Sequence, residues 1–404
     1  MTRRNRNRNR IYSSFMNVRR SWLSLVLQSA LFFLLLGTTV RLIVPQNENK
    51  DLHRNEGVQY PRIQLEPTED YPMTRNLLGV LQEWPPDDPD DQPRLFNEVL
   101  QHFDWNVPAQ RTAARAYRDK ELPFKIVNAP DIVNAGVKWT DNFLIGQFDQ
   151  SSPRIQYVVE QSQSNHFLYY KPPARGNKMH RNDFSYRPPT KKMKMSYARF
   201  AELARAADQN KLGADAMHHY FMTGTRPREG VSAAQNHDYA RFIENDLNIF
   251  SIANGSTFFV SDTAGNRGIQ CRFGMRGVIA EAHYDVGRNF IAMLRGSKRY
   301  ILTPPSSCTM LDLIKDRAHP SFRHSRIDWS DLGAAAKANF TSVQSVQTVL
   351  KQGELLYMPS CWFHYIVSLD FSIQCNSRSG RPPPHVRHAE DHITKCIGTF
   401  PLAE

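Results

Sequence analysis

The sequence predicts a mainly β chain, with a barrel or sandwich of short strands, flanking helices and one N-terminal transmembrane helix. Three observations carry that expectation. Short β-rich runs alternate with turns from Leu122 onward, helical periodicity is scarce, and one uncharged apolar stretch follows an arginine-rich start. The 404 residues, 41% hydrophobic and 11% aromatic, suffice for one large folded domain with appendages.

Residues 1–21 read as a basic cytoplasmic tail. The formal charge of +12 invites a nucleic-acid reading, but Arg3, Arg4, Arg6, Arg8, Arg10, Arg19 and Arg20 stand there without an acid, and setting these seven aside leaves +5. No nucleic-acid partner is expected of so mildly basic a body. Residues 22–40 carry no charge, and at ~1.5 Å each they reach about 28 Å, close to the ~30 Å hydrocarbon core of a bilayer. The segment 22–44 therefore reads as a transmembrane signal-anchor. With the arginines held on the cytoplasmic side, the expectation is a single-pass type II membrane protein whose folded domain faces the lumen of the endoplasmic reticulum or Golgi. A mitochondrial membrane is the alternative, because an arginine-rich, acid-free start with Ser13 and Ser14 also resembles a presequence. Two Asn-x-Ser/Thr triplets, at Asn254 and Asn339, are compatible with the secretory route.

Residues 45–120 are polar and punctuated by proline, as in EWPPDDPDDQP at 83–93, and read as a stalk followed by short helices such as 93–103. Residues 121–380 form the folded domain. Its strand signals are FKIVNA (124–129), NFLIGQF (142–148), RIQYVVEQ (154–161), HFLYY (166–170), GIQCRFGMRGVIAEAHYD (268–285), NFIAML (289–294), KRYILTP (298–304), ELLYMP (354–359) and FSIQCN (371–376). One helix interrupts them at 196–210, with Ser196 as its cap. The basic stretch 171–194 reads as a solvated loop, with substrate contact as the sharper alternative, and 381–404 is a C-terminal extension. Cys271, Cys308, Cys361, Cys375 and Cys396 contain no CxxC, which argues against a zinc module and leaves pairing open. Cys361 and Cys375 flank a histidine of the candidate site below, so their oxidation is expected to perturb it.

The chemistry concentrates in two segments. In His283-Tyr284-Asp285, residues i and i+2 of a strand share a face, so an imidazole and a carboxylate are presented together. A third ligand, His364, follows in the strand-like run after Pro359. Two histidines and one carboxylate match the facial triad of non-haem Fe(II) oxygenases. A second His-x-Asp, His102-Phe103-Asp104, lies in the polar region without a partner and reads as accidental.

AHYDVGRNFIAMLRGSKRYILTPP (282–305) and GELLYMPSCWFHYIVSLDFSIQCN (353–376) resemble the two signature segments of the JmjC oxygenases. The likeness is greatest to the cupin-like subgroup that contains the asparaginyl hydroxylase of hypoxia-inducible factor. It is clear over 268–378, weaker back to 122, and does not reach the tail, anchor or stalk. The resemblance implies a double-stranded β-helix (cupin, jelly-roll) core, Fe(II) held by His283, Asp285 and His364, and 2-oxoglutarate as cosubstrate. It assigns Lys298 to the distal carboxylate of 2-oxoglutarate and Asn289, Asn376 and Tyr220 to further cosubstrate contacts. From the residues alone, Gly296-Ser297 makes a turn and sends Lys298 into the returning strand, where a buried ammonium needs an anion. The chain departs from the pattern at Ala280 and Glu281, where that hydroxylase has a threonine that bonds the cosubstrate and a proline. Glu281 is expected to alternate outward into solvent.

The expected function is an Fe(II)- and 2-oxoglutarate-dependent dioxygenase that hydroxylates a protein side chain. The alternative is a catalytically silent cupin-fold scaffold. A type II glycosyltransferase, suggested by Asp88-Pro89-Asp90, lacks the preceding apolar strand and nucleotide-binding βα pattern. Nothing in the sequence fixes the oligomeric state.

Overall fold

Alternation along each strand decides where the core sits. In 269–274, Ile269, Cys271 and Phe273 are buried among Phe148, Tyr197, Phe200 and Phe221, while Gln270 and Arg272 take the opposite face. The computed structural model describes residues 57–150, 157–168, 190–213, 215–225, 241–251, 258–262, 266, 268–317, 319–378, 380–398 and 400. Residues from Val58 onward form one compact unit.

The strands in chain order are β1 (Val58–Gln59), β2 (Arg75–Asn76), β3 (Phe96–Asn97), β4 (His102–Asp104), β5 (Phe124–Val127), β6 (Tyr157–Ser162), β7 (His166–Phe167), β8 (Lys191–Met195) and β9 (His218–Gly224). They continue with β10 (Ile269–Gly274), β11 (Ile279–Tyr284), β12 (Asn289–Arg295), β13 (Ser297–Thr303), β14 (Gln344–Lys351), β15 (Leu355–Met358), β16 (Phe363–Ser368) and β17 (Ser372–Arg378). A nine-stranded sheet runs β4-β5-β15-β12-β17-β10-β9-β6-β8, a six-stranded sheet runs β2-β14-β13-β16-β11-β7, and β1 pairs with β3. The expected mainly β core with flanking helices is present.

Each sheet covers its outer face separately. The nine-stranded sheet packs Phe273, Ile373 and Phe290 beneath helices that contribute Tyr117, Tyr197 and Phe200. Behind the six-stranded sheet, Ile301, Val349, Tyr365 and Val367 join Leu77, Val80, Leu81, Trp84 and Trp329. Fully burying a side chain of this size is worth ~1.5–3 kcal/mol. Arg299 is threaded through that second layer, donating to the carbonyls of Trp84 and Val80 and to Gln347, with its guanidinium over the Trp84 ring. The inner faces meet across the interior, where Tyr300 of β13 donates to Gln374 of β17 at 2.6 Å.

Several expectations change. The part of 45–120 that is described is built into the unit, not held away from it as a stalk: β2 pairs with β14, β4 with β5, and Trp84, Phe103 and Tyr117 are buried. Residues 93–103 are extended rather than helical, pinned by Glu98, which caps the N–H groups of Val99 and Leu100 and pairs with buried Lys125 at 3.2 Å. The run 142–148 is helical, in Asp141–Ile145 and the π-turn Gly146–Gln150, because Thr140 caps it by accepting from the N–H of Phe143. The helix Tyr197–Asp208 forms with Ser196 as its cap. Cys375 is bonded to Cys271 and Cys308 to Cys396, while Cys361 is buried and takes part in neither disulfide. The pairing that the sequence left open thus includes a bond across β10 and β17.

The localisation is corrected. Among the described residues, no helix is long and apolar enough to cross a membrane, against the expectation of a single-pass membrane protein in the endoplasmic reticulum, Golgi or mitochondrion. The tail 1–21 and the segment 22–44 on which that expectation rested lie outside the described residues, as do the triplet at Asn254 and most of the basic stretch 171–194.

Candidate metal centre and cosubstrate pocket

Two neighbouring strands bring the two histidines face to face. In the pairing of β11 with β16, His283 lies opposite His364 after a bulge between Ala280 and His283. Asp285 follows just past the strand end, and its carbonyl accepts the N–H of Cys361 at 2.8 Å, tying both ligand segments together. Cys361 holds the left-handed φ of 64° at this junction. Donor atoms of His283, Asp285 and His364 all lie within 4.8 Å of one another.

The proton positions follow from the partners. His283 Nδ1 faces the Glu281 carbonyl at 2.7 Å and His364 Nδ1 faces the Trp362 carbonyl at 3.0 Å, so each Nδ1 donates and each Nε2 presents a lone pair. Burial, followed for His283 by the neighbouring histidines, holds both imidazoles below their usual range and hence neutral. Burial alone would raise Asp285, but the Arg378 guanidinium beside it holds its carboxyl well below the usual carboxylate range. The Nε2 atoms stand 3.1 Å apart. Two nitrogens each ~2.1 Å from one ion stand roughly 3.0–3.4 Å apart for right-angle to tetrahedral geometry. Two converging lone pairs and a carboxylate thus form a donor set that fits a divalent metal.

The supporting residues form a continuous network. Asn289 Nδ2 donates to Asp285 Oδ2 at 3.3 Å, and Asn376 Nδ2 donates to Asn289 Oδ1 at 3.0 Å. Deeper in the interior, Lys298 Nζ lies 3.5 Å from Tyr220 Oη and 5.1 Å from its ring centre. Gly296 makes the turn that delivers Lys298, with φ 65° and no room for a Cβ against Asp370 and Phe371. Burial, and next the Arg272 guanidinium, push the Lys298 ammonium down to about 7, and burial pushes the Tyr220 phenol up to about 12. All seven residues singled out from the sequence therefore line one interior, the three candidate metal ligands and two asparagines at one end and Lys298 with Tyr220 at the other.

Three neighbours were not singled out. Arg378 donates to Asp285 Oδ1 at 2.7 Å, and its place two residues beyond Asn376 on β17 was the signal that could have found it. The His324 ring lies 5.0 Å from that of His283 at an interplanar angle of 21°. It arrives on a segment without strand or helix periodicity. His166 meets Glu281, so Glu281 does not turn into open solvent as expected; its side chain is only 13% exposed. Burial would lower His166, but hydrogen bonds to Asp87 and Glu281, with Asp328 nearby, lift it to about 10.

A family model described as "Cupin-like domain" matches residues 109–377. The chain belongs to the cupin-like domain family. It is 29% identical over 154 residues to Jumonji C domain-containing protein 5 of Drosophila melanogaster, covering 37% of this chain and 38% of that protein. It is 32% identical over 94 residues to tRNA wybutosine-synthesizing protein 5 of Danio rerio, 23% of this chain and 27% of that protein. A lysine-specific demethylase of Arabidopsis thaliana is 27% identical over 106 residues, 25% of this chain and 23% of that protein. The matched stretches thus span well under half the length of these relatives. Relatives of this cupin-like JmjC domain have different named activities, so membership fixes the fold and not the substrate.

Proposed function

We propose that this cupin-like chain is an Fe(II)- and 2-oxoglutarate-dependent oxygenase that hydroxylates a protein side chain. The observation that carries the reading is the convergence of the His283 and His364 Nε2 lone pairs on the Asp285 carboxylate, 3.1 Å apart in a buried site. His283, Asp285 and His364 would hold the metal, and Lys298 with Tyr220 would bind the remote carboxylate of 2-oxoglutarate. When bound, iron and 2-oxoglutarate supply the oxidising power that places one oxygen atom of O₂ on a substrate carbon, the cosubstrate leaving as succinate and CO₂.

The chain's own residues orient and insulate. The Glu281 and Trp362 carbonyls fix both imidazole tautomers, and Asn289 and Asn376 hold the ligand carboxylate and the pocket wall in register. Buried Ile366 and Met293 lie on strands whose inward positions surround the pocket and keep water out. A protein substrate follows from the resemblance to the asparaginyl-hydroxylase subgroup, and the modest charge of the body favours it over the tRNA named for some relatives.

A second reading, a cupin-fold binding protein without turnover, draws on the Arg378–Asp285 ion pair, which places a guanidinium on a ligand carboxylate. One experiment separates them. Anaerobic Fe(II) and 2-oxoglutarate binding is measured first, then succinate release in air, with His283→Ala alongside. Iron-dependent succinate release that the substitution abolishes is the expected result, and binding of both without succinate, even over a panel of peptide substrates, favours the silent reading. Failure to bind iron overturns the proposal.

A further inference from the structure

The interior between the two sheets carries a second cation, one that no motif or periodicity singles out. On β10, Arg272 lies directly opposite Gln374 of β17 and Met222 of β9. Gln374 accepts the Tyr300 hydroxyl from the facing sheet, so this row of side chains looks into the interior. Along the same face, Asn376 lies one row towards the metal ligands and Tyr220 one row towards Lys298. Arg272 therefore stands between the metal end and the lysine end of one pocket.

Its bonds leave that pocket positively charged. Among the described residues, the Arg272 guanidinium donates to the Cys271 carbonyl at 3.2 Å and to Gln270 Oε1 at 3.3 Å, both neutral acceptors. Lys298, 1% exposed, has the Tyr220 hydroxyl and ring as its partners. Among the described residues neither cation pairs with a carboxylate. The depressed ammonium of Lys298, for which Arg272 is the leading cause after burial, places the two charges in each other's field. Two acids bear on them: Asp370, at the Gly296 turn, opposes the fall of the Lys298 ammonium, and Glu160, in the Tyr220 row of neighbouring β6, is lifted by burial against the pull of Lys192 and Arg272. A fully buried ammonium beside a half-buried guanidinium is costly unless an anion completes the set.

We propose that Arg272 is a cosubstrate-binding residue, forming with Lys298 and Tyr220 a two-cation cradle for the carboxylate of a 2-oxo dicarboxylic acid that lies remote from the metal. The proposal rests on the oxygenase reading and adds to it the class of acid the pocket selects. A guanidinium presents paired donors that match a carboxylate, and an ammonium beside it fixes the second oxygen. A monocarboxylic 2-oxo acid would leave both charges uncompensated and is rejected.

The test is direct binding to the full chain, titrated anaerobically with Mn(II) and either 2-oxoglutarate or 2-oxopentanoate, which has the same carbon chain without the remote carboxylate. The wild type is expected to prefer 2-oxoglutarate by about 100-fold, and Arg272→Gln to reduce that preference roughly 10- to 100-fold by weakening 2-oxoglutarate alone. Arg272→Lys is expected to keep most of the preference. A purely structural role would weaken both acids alike, and that result, or an unchanged preference in Arg272→Gln, overturns the proposal while leaving the oxygenase reading intact. If Arg272→Gln does not fold, the ratio of the two affinities in Arg272→Lys decides the same question. A wild type that binds Mn(II) but neither acid overturns both readings.

Discussion

Two histidine–carboxylate clusters lie on either side of strand β11, and they solve the same electrostatic problem in opposite ways. His283, His364 and Asp285 combine two neutral imidazoles with one carboxylate, His364 and Asp285 buried and His283 partly so. His166, Glu281 and Asp328 combine one imidazole with two carboxylates, and Asp87 adds a third at 3.3 Å from His166. In the second cluster the histidine takes a proton and becomes the cation its acids require. In the first, both Nδ1 protons are committed to backbone carbonyls and burial keeps the rings neutral, so lone pairs face each other across 3.1 Å. Proton placement separates a cluster that balances its own charge from one whose lone pairs stay open to a cation.

The sharpest way to break this comparison is to remove one histidine from each cluster. His283→Ala or His364→Ala is expected to lower Fe(II) or Mn(II) affinity by at least about 100-fold, since each removes one of three protein ligands. His166→Gln is expected to leave one metal bound per chain with unchanged affinity. Two metals per wild-type chain, or loss of metal in His166→Gln, would show that the second cluster is a site after all. The cost of His166→Gln should instead be in stability, about 3 kcal/mol in denaturant unfolding, because Glu281 loses its cation in a buried position.

The pH dependence extends the contrast to the deeper pocket. His166 has a folded value near 10 against 6.5 unfolded, so its contribution is fully present below 6.5 and is lost as pH rises towards 10. Lys298 has a folded value near 7 against 10.5 unfolded, so the folded state binds fewer protons across that window and stability rises from pH 7 to 10.5. The two slopes oppose each other in the unliganded protein. Unfolding free energies measured from pH 7 to 10 should rise more steeply with pH in His166→Gln and fall more steeply in Lys298→Met than in the wild type. Parallel curves for all three proteins would contradict both assignments.

What the sequence revealed and what it concealed divide along the same physical line. His283, Asp285, His364 and Lys298 were legible because strand alternation and a glycine turn are local, and their segments are distinctive. Arg378 obeys the same i+2 rule from Asn376, yet no local feature says that its partner is Asp285, 93 positions away. His166 reaches Glu281 through the short parallel pairing of β7 with β11, which no periodicity announces. The run 142–148 looks like a strand from its apolar residues, and only the Thr140 cap betrays a helix. The polar composition of 57–120 likewise hid Trp84, covered by Arg299 from far along the chain, and Tyr117, packed on Phe103 and Phe124.

Arg378 supplies the smallest and most discriminating test, because its charge bears directly on a carboxylate of the candidate metal cluster. Its guanidinium competes with a metal for the Asp285 carboxylate, to which it donates at 2.7 Å. Removing it in Arg378→Leu leaves a more basic ligand whose Oδ2 is still steadied by Asn289. Metal affinity is therefore expected to rise about 3- to 10-fold, the scale of one partly exposed charge-assisted contact. If the pair instead holds the carboxylate in the geometry a metal needs, affinity falls, and Arg378→Lys restores part of it. The sign of the change, read from Mn(II) titration of the full chain, tells whether this guanidinium restrains the metal site or builds it. A rise would also remove the observation that favours the silent reading, since a carboxylate released by one substitution was available to the metal throughout.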